Sequence, residues 1–404
     1  MQIRPILSAL RRHRLAAMLI GLEIALACAV LCNACFLIAN RVRDMHIQSG
    51  VDEASLASLT ISGYEDRQSV DVNARVTAGL RAIPGVQSVS VLNSIPFGER
   101  RGSMGITTDA EGLHRGGVIE FYLGGPGSAE ALGFHLVAGR ALQAEDYQSF
   151  SGLMPSFAPV LVTRELAEHL WPGEDPLGKS IWSKPLHYQV VGVIDRLVVP
   201  APALWGAGTG GWSAFLPAQP GPGLSGSYLI KAAPADIRRV LRDARETIAK
   251  VAPDAVLDLQ GTQTIGDLRE SFFQQDRTMT GILVAVIASL LLVTALGIVG
   301  LASFWVQQRR KQIGIRRAIG ATRQDILSYF QTENFLIVSG GILVGMVLAF
   351  GLNLALMKFY ELPRLPLYYL PMGAVSLWLL GQLAVLGPAL RAAAVPPVVA
   401  TRSV

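Results

Sequence analysis

The segment WVQQRRKQIGIRRAIGATRQDILSY, residues 305–329, begins at the end of a long apolar stretch and is crowded with basic side chains. Between that stretch and the next apolar one lie Arg309, Arg310, Lys311, Arg316, Arg317 and Arg323. Short loops rich in Lys and Arg remain on the cytoplasmic side of a membrane. The segment therefore predicts a cytoplasmic loop between two membrane spans, and the rest of the chain is organised around it.

The pattern inside this loop predicts two helices with a break between them. Isoleucine and alanine side chains alternate with the charges, which indicates a short amphipathic helix with basic flanks. Gly314 and Gly320 leave part of its backbone uncovered for close packing. Thr322 followed by Asp325 fits a capping box, which opens a second helix that runs toward the next span.

The run RRKQIGIRRAIGATRQDIL resembles the cytoplasmic segment of MacB/FtsX-type ABC transporter permeases, in which a basic-Ile-Gly-Ile-Arg-Arg-Ala-Leu-Gly-Ala core follows the second membrane helix. The resemblance implies that this segment contacts a cytosolic ABC ATPase subunit. The ATPase-coupling residues that it implies are Ile313, Gly314, Ile315, Arg316, Arg317, Ala318, Gly320 and Ala321. The charges alone leave a second interpretation open, a loop that only anchors helices at lipid headgroups.

The composition also indicates a membrane protein that carries a soluble module. Of the 404 residues, 51% are hydrophobic and 16% are charged, and the mean hydropathy is +0.40. Such a chain is too apolar for an ordinary soluble domain and too mixed for a bare helical bundle. The net charge of +5 is concentrated beside the spans, so it predicts orientation and contact with lipid headgroups rather than nucleic-acid binding.

The apolar lengths predict four transmembrane α-helices, with a large α+β periplasmic domain inserted between helices 1 and 2. The predicted domains are residues 1–40, a basic amphipathic lead and helix 1; 41–275, the periplasmic domain; 276–308, helix 2; 309–333, the cytoplasmic coupling segment; 334–357, helix 3; 358–371, a short periplasmic loop; 372–390, helix 4; and 391–404, a cytoplasmic tail. Arginines before helix 1 outnumber those after it, which predicts a cytoplasmic N-terminus.

Three details of the spans are also predicted. A cleaved signal peptide is the alternative for helix 1, but its apolar region should be about 7 to 15 residues long, and no small-x-small cleavage site precedes Arg41. After Gly266 the sequence has no helix breaker until past the bilayer, which predicts one helix from the soluble domain into the basic loop. The fourth span should end near Pro388.

Polar residues inside helix 1 have two interpretations each. A carboxylate is costly to place in a membrane. Glu23 is therefore either part of a proton relay or a protonated or headgroup-reaching side chain that packs against a neighbouring helix. Cys28, Cys32 and Cys35 share one helical face and predict a small-residue packing stripe. Cys32 and Cys35 also have the C-x-x-C spacing of redox or metal-binding motifs, which is the alternative interpretation. Such motifs are expected beside a soluble fold and not in lipid.

The soluble module repeats one pattern. Strand, helix and strand follow one another twice, at residues 57–62, 72–82 and 86–92 and again at 228–232, 234–251 and 256–260. This predicts an α+β domain with paired β-α-β units. Between them, a Gly-Arg turn, a short helix, a Gly-Asp-Pro-x-Gly-Lys-like turn and a Val-Val-Gly-Val strand resemble the periplasmic domain of MacB-like permeases. Residues 99–117 and 200–227, rich in Gly, Pro and Ser, predict excursions or flexible loops.

The stretch GEDPLGKS, residues 173–180, satisfies the P-loop pattern G-x-x-x-x-G-K-[ST]. A P-loop needs a strand before it and a helix after it, so that backbone N–H groups converge on phosphate. Here a helix capped by Thr163 precedes the motif and a strand at residues 188–194 follows it, while Glu174 and Asp175 would repel phosphate. The sequence therefore predicts a tight turn.

The resemblance implies a permease subunit of an ABC-type export or mechanotransmission complex, with ATP bound and hydrolysed by a separate subunit. The alternative is an FtsX-like membrane regulator that signals the state of the ATPase to a periplasmic cell-wall enzyme. The six histidines are scattered, and no catalytic, cofactor or metal constellation is recognisable in the sequence. The predicted location is the bacterial inner membrane, with the large domain in the periplasm.

The implied partners are the ATPase, a second permease chain, membrane lipids and, as a possibility for export, a periplasmic membrane-fusion adaptor with an outer-membrane channel. MacB-like members carry acidic residues in the basic loop, where this chain has Gln308 and Gln312. A wholly cationic loop is consistent with pairing to a related permease of different charge, and equally with drift in a homodimer, because exposed ion pairs are worth only about 0 to 1 kcal/mol.

Overall fold

The structure of the chain is a computed structural model that describes residues 14–150, 152, 154–201, 210–360 and 364–395. It divides into two compact units, a membrane unit of Met1–Arg43 and Asp276–Val404 and an extramembrane unit of Asp44–Gln275. The predicted lead at residues 1–13 and the end of the predicted tail, residues 396–404, lie outside the described residues.

Long helices flank a β-rich insert. In chain order, the described helices are α1 (Arg14–Met45), α2 (Ser69–Arg81), α3 (Ser128–Leu132), α4 (Arg164–Leu170), α5 (Ile237–Val251), α6 (Ile265–Phe272), α7 (Gln274–Gln308), α8 (Arg310–Ala318), α9 (Arg323–Tyr360) and α10 (Tyr369–Ala393). The described strands are β1 (Leu56–Ser62), β2 (Val86–Val91), β3 (Gly102–Thr107), β4 (Arg115–Gly124), β5 (Leu136–Gly139), β6 (Phe157–Thr163), β7 (Ser180–Ser183), β8 (Leu186–Ile194), β9 (Ser213–Pro217), β10 (Ser227–Ala232) and β11 (Val256–Asp258).

Among the described residues, four helices are long and apolar enough to cross a membrane: α1, α7, α9 and α10. A helix suits hydrocarbon because it pairs its backbone N–H and C=O groups internally. Small residues bring α9 close to α1, since a Cβ added at Gly345 would lie 2.5 Å from Cβ of Cys28 and 2.8 Å from the carbonyl oxygen of Ala25. The side-chain amide of Asn33 also donates to the carbonyl of Ala349, at 3.0 Å.

The cysteines of α1 pack as predicted. Cys28 and Cys32 are buried and Cys35 is half-buried. The thiol of Cys32 donates to the carbonyl of Tyr369 at 3.6 Å, and a Cβ added at Gly373 would lie 2.5 Å from its Sγ. Nowhere in the described ranges do three or more His, Cys, Asp or Glu residues form a group that could hold a metal ion. The burial of Cys28 and Cys32 and the contacts of Cys32 agree with the packing interpretation.

Glu23 lies on the side of α1 that meets α7. A Cβ added at Gly297 in α7 would be 2.8 Å from Oε2 of Glu23. Oε1 of Glu23 is buried without a hydrogen-bond partner. The expectation that this side chain packs against a neighbouring helix is confirmed.

Two predictions about the spans are wrong. The continuous helix expected after Gly266 is interrupted at Phe273, which leaves the helical conformation and is buried beside Phe97, and again at Arg309, which separates α7 from α8. The fourth helix continues past Pro388 to Ala393, three residues beyond the predicted bound of 390. Proline lacks a donor, yet transmembrane helices tolerate it, and here the residues that follow Pro388 are held in a packed cluster.

In the extramembrane unit, the two predicted β-α-β units are present and interleaved. β1, α2 and β2 form the first unit, and β10, α5 and β11 form the second. The strands make one sheet in the order β11-β1-β10-β2, and all neighbours are antiparallel. Each unit therefore holds one strand of the other between its own two. The helices cover the sheet with apolar faces that include Val76 and Leu80 of α2 and Val240 and Ala244 of α5.

The second sheet has the order β5-β8-β6-β9-β4-β3-β7, and β7 also pairs with β8, so the sheet closes on itself. Part of it falls where the sequence predicts flexible loops, at residues 99–117 and 200–227. That prediction is wrong for β3, for the start of β4 and for β9. β3 and β4 form an antiparallel pair that buries Met104 and Ile106, so strand pairing outweighs the glycine content.

The P-loop-like stretch is a turn, as predicted. Oγ1 of Thr163 accepts a hydrogen bond from the backbone N–H of Leu166 at 3.4 Å and caps α4 ahead of the motif, while β7 and β8 follow it. Gly178 has φ +79°, which suits a tight turn and not a helix start. Lys179 forms an ion pair with Glu174, and its Nζ lies 5.4 Å from the centroid of a Trp171 ring.

Candidate functional site

The candidate site is α8 together with the turn that follows it. Gly320 has φ +108°, a value that favours glycine, and follows the last helical residues. Its N–H donates to the carbonyl of Arg317 at 3.2 Å, and the N–H of Ala321 donates to the carbonyl of Arg316 at 3.0 Å. This pair of bonds is a Schellman motif, which satisfies carbonyls that the end of a helix leaves unpaired. Gly320 and Ala321 therefore form the predicted break.

The next helix begins with the predicted capping box. The backbone N–H of Thr322 donates to a carboxylate oxygen of Asp325 at 2.8 Å, and the N–H of Asp325 donates back to the Thr322 hydroxyl at 3.2 Å. The two reciprocal bonds fix the first turn of α9. The order helix, break, helix is confirmed.

One face of α8 is buried against the ends of α9 and α10. Ile313 and Gly314 are buried. Ile313 belongs to a compact apolar cluster whose other buried members are Ile326, Phe330, Ala389, Ala392 and Ala393. This cluster holds the short helix in place, because nine residues form too few helical turns to be stable alone.

Two arginines of the basic segment also point toward the spanning helices. The guanidinium of Arg317 donates to the carbonyls of Ala393 and Val395, both at 3.0 Å, at the C-terminal end of α10. Arg309 contacts both carboxylate oxygens of Glu333 in α9, at 3.0 and 2.9 Å. The side chain of Glu333 is 1% exposed and that of Arg309 is 12% exposed. Arg309 and Arg317 thus join α8 to α9 and to α10, respectively.

Glu333 was missed by sequence reasoning. The signal that could have revealed it is a single carboxylate at the start of the third apolar segment, one connection away from the arginines. A buried carboxylate in such a place needs a cationic partner. The sequence alone does not say which of the six basic residues is that partner.

The opposite face of α8 is open. Ile315 is 47% exposed and Ile319, just past the end of the helix, is 82% exposed. Residues four apart share one side of a helix, so Lys311, Ile315 and Ile319 lie on the same side, in line. Arg316 is exposed beside them, and its guanidinium lies 5.1 Å from the centroid of the Tyr329 ring. This exposed face is an apolar ridge with basic neighbours.

The predicted coupling residues therefore divide into groups. Ile315, Arg316 and Ala318 are exposed on α8, whereas Ile313, Gly314 and Arg317 face the spanning helices. Gly320 and Ala321 form the turn. The structure brings the segment together as one element, and contact with an ATPase stays a prediction.

Comparison with known proteins gives sequence matches over both units. Residues 284–397 match the family model described as FtsX-like permease C-terminal. The protein described as "Macrolide export ATP-binding/permease protein MacB" from Marinobacter nauticus is 28% identical over 226 residues, which cover 53% of this chain and 32% of that protein. The protein of the same description from Rhodospirillum rubrum is 27% identical over 320 residues, or 74% of this chain and 45% of that protein.

A solved structure, the periplasmic region of MacB from Actinobacillus actinomycetemcomitans, is 13% identical with a TM-score of 0.35, covering 57% of this chain and 97% of that one. The two MacB proteins are longer than this chain's match to them, which spans 32% and 45% of their lengths. The chain therefore carries an FtsX-like permease domain at residues 284–397 and is similar in sequence to MacB proteins, which are named as ATP-binding/permease proteins.

Proposed function

We propose that this chain is the permease subunit of an ABC-type export or mechanotransmission complex, in which a separate cytosolic ATPase docks on the exposed face of α8. The observation that carries the proposal is the pair formed by Ile315 in α8 and Ile319 just past its end, which are 47% and 82% exposed on the same side. Helices that dock in grooves use apolar anchors with this four-residue spacing. The basic neighbours would favour an acidic rim on the partner.

In the proposed mechanism, ATP is bound and hydrolysed by the partner, and this chain supplies no catalytic group or cofactor. Closure of the ATPase displaces α8, and α8 displaces the spanning helices. The extramembrane unit, which we place in the periplasm of an inner-membrane protein, then acts on a substrate or on a membrane-fusion adaptor. The similarity to the two MacB proteins supports this scheme, because their name joins ATP binding, permease and export in one protein.

We further propose two permease chains in each complex. The second spanning helix, α7, supports this because much of its length is exposed and apolar, including Ile282, Val286, Val293 and Leu296. Lipid covers part of such a surface, and a second permease, either identical or related, would cover the rest.

The experiment is co-purification of the full chain with the candidate ATPase and measurement of their affinity. The double variant Ile315→Asp and Ile319→Asp should weaken binding by about tenfold or more, since each buried isoleucine contributes roughly 1.5 to 3 kcal/mol. The matched control is Gln307→Asp, which places the same carboxylate at an exposed polar position just before the basic segment.

Equal affinity of the double variant and the control would refute docking on this face. The mass of the detergent-solubilised complex then gives the composition: two copies of this chain with no second permease would exclude an obligate heteromer. A complex that holds the ATPase together with a peptidoglycan enzyme, and that shows no export, would favour the FtsX-like regulator instead.

A further inference from the structure

The basic segment has two kinds of arginine that the sequence does not distinguish. Arg316 is exposed, whereas Arg317, the next residue, is half-buried and bonded to carbonyls of another helix. Positions 313 and 317 are four apart and share the buried side of α8, while positions 311, 315 and 319 share the open side. An arginine on the buried side therefore bonds to another part of the permease itself.

The contact of Arg317 is a cap on the last spanning helix. The final carbonyls of a helix have no intrahelical partner and form the negative end of its dipole. The guanidinium of Arg317 donates to the carbonyl of Ala393, the last residue of α10, and to that of Val395 two residues past the helix, at 3.0 Å each. Both bonds come from one guanidinium nitrogen, Nη1, so a single group bridges the last turn of α10 and the residues just after it. Arg317 therefore holds the end of α8 to the end of α10.

The contact of Arg309 is a buried two-bond ion pair with α9. Glu333 is 1% exposed, so its carboxylate cannot exchange this partner for water without a large cost. Arg309 occupies the break between α7 and α8, and its guanidinium also lies 5.8 Å from the centroid of a Trp305 ring. Arg309 therefore holds the beginning of α8 to α9.

We propose that Arg309 and Arg317 are positioning residues that transmit displacement of α8 to α9 and α10, and that neither contacts the ATPase. This inference rests on the proposed function and deepens it. The ATPase binds the open side of α8. The two arginine contacts, one at each end of the helix, then transmit the displacement of α8 to α9 and α10. Loss of either contact would leave the ATPase bound but its motion poorly transmitted.

The first test needs no ATPase. In a chain with Cys28→Ala, Cys32→Ala and Cys35→Ala, spin labels are placed at Lys311→Cys in α8 and Arg391→Cys in α10, both exposed positions. The distance distribution between the labels should be narrow in this background and clearly broader with Arg317→Gln. Arg316→Gln is the matched control and should leave the width unchanged, and Arg317→Lys, which keeps a donor, should restore part of it.

The same test is applied to the other contact with labels at Lys311→Cys and Gln324→Cys, the latter at an exposed position in α9. Arg309→Gln should broaden this distribution. Because that variant leaves a buried carboxylate unpaired and can disturb folding, the exchange Arg309→Glu with Glu333→Arg is the second variant. If the exchange restores a narrow distance distribution between the labels, the ion pair of Arg309 and Glu333 is the contact that holds α8 to α9. A width that none of these changes affects would overturn the inference.

The second test uses the full chain with the ATPase. Arg317→Gln should keep the affinity for the ATPase within about threefold but lower the permease-dependent stimulation of ATP hydrolysis by about tenfold or more. The double variant Ile315→Asp and Ile319→Asp should instead lose affinity. If Arg317→Gln weakens binding as much as that double variant, Arg317 is a docking residue and the inference is wrong. If the unmodified chain binds no ATPase, the proposed function fails, and the distance measurements still decide whether the arginines fasten α8.

Discussion

A glycine in the third spanning helix provides a sharp test of how the membrane unit is packed. We expect Gly345→Ala to destabilise the protein and Gly340→Ala, in the same helix, to leave it unchanged or slightly more stable. A Cβ at Gly345 would lie 2.5 Å from Cβ of Cys28, 2.8 Å from the carbonyl oxygen of Ala25 and 3.0 Å from its Cα. A Cβ at Gly340 would have no atom within 4 Å.

The size of the effect follows from these distances. Carbon atoms in contact are separated by about 3.5 to 4.0 Å, so the added methyl of Gly345→Ala overlaps atoms on or next to the backbone of α1, which no side-chain rotation can move away. Overpacking of this kind costs about 1 to 3 kcal/mol. Replacing a helical glycine by alanine gains about 0.5 to 1 kcal/mol where there is room. The two variants should therefore differ by about 1.5 to 4 kcal/mol.

The measurement is reversible unfolding of the full chain in mixed micelles, with helix content followed as the fraction of denaturing detergent increases. Gly351→Ala, which also has open space around the added atom, is a second control. Equal stability of the three variants, within about 0.5 kcal/mol, would mean that α1 and α9 do not approach through Gly345, and the packing described here would be refuted.

Three further predictions concern the extramembrane unit and the loop. Hydrogen bonds from Arg140, at 2.6 and 2.9 Å, hold the pKa of Asp146 below its ordinary value, so their stabilisation is present above pH about 4 and is lost as the pH falls through the lowered pKa. Asp146→Asn should accordingly cost about 1 to 3 kcal/mol at neutral pH, measured by thermal unfolding, and a deficit that did not shrink in acid would contradict this. Lys179→Ala should leave the ATP hydrolysis of the assembled complex intact, because Lys179 lies in a turn and not in a P-loop; selective loss of hydrolysis in that variant would show the nucleotide site to be misassigned. In a cysteine-free background, a membrane-impermeant thiol reagent added to intact cells should label Glu130→Cys and not Ala318→Cys, and the reverse pattern would overturn the topology.

Much of the candidate site was predictable because its signals are local. A capping box and a glycine at a helix end act within a few residues, so the order helix, break, helix follows from the positions of Gly320 and Thr322. The isoleucine and alanine side chains between the charges likewise indicate a short amphipathic helix, but they do not distinguish the buried Ile313 from the exposed Ile315 and Ile319. Which side of α8 is open is not local information, because it depends on the ends of α9 and α10.

The sequence by itself determined the class of the protein. Apolar length and the placement of arginines specify spanning helices and a basic loop, since the bilayer acts on each segment separately. The two strand-helix-strand patterns specify an α+β insert for the same reason, because side-chain periodicity is a property of each element.

Only the tertiary structure decided which residues meet. It separated Arg317 from its neighbour Arg316 and supplied Glu333 as the partner of Arg309. The interleaved strand order of the two β-α-β units and the continuation of the last helix to Ala393 are also visible only in the tertiary structure. These outcomes depend on buried contacts between segments far apart in the chain. A buried charge or an unpaired carbonyl takes whichever partner the packing brings within hydrogen-bond distance, and spacing along the sequence does not encode that choice.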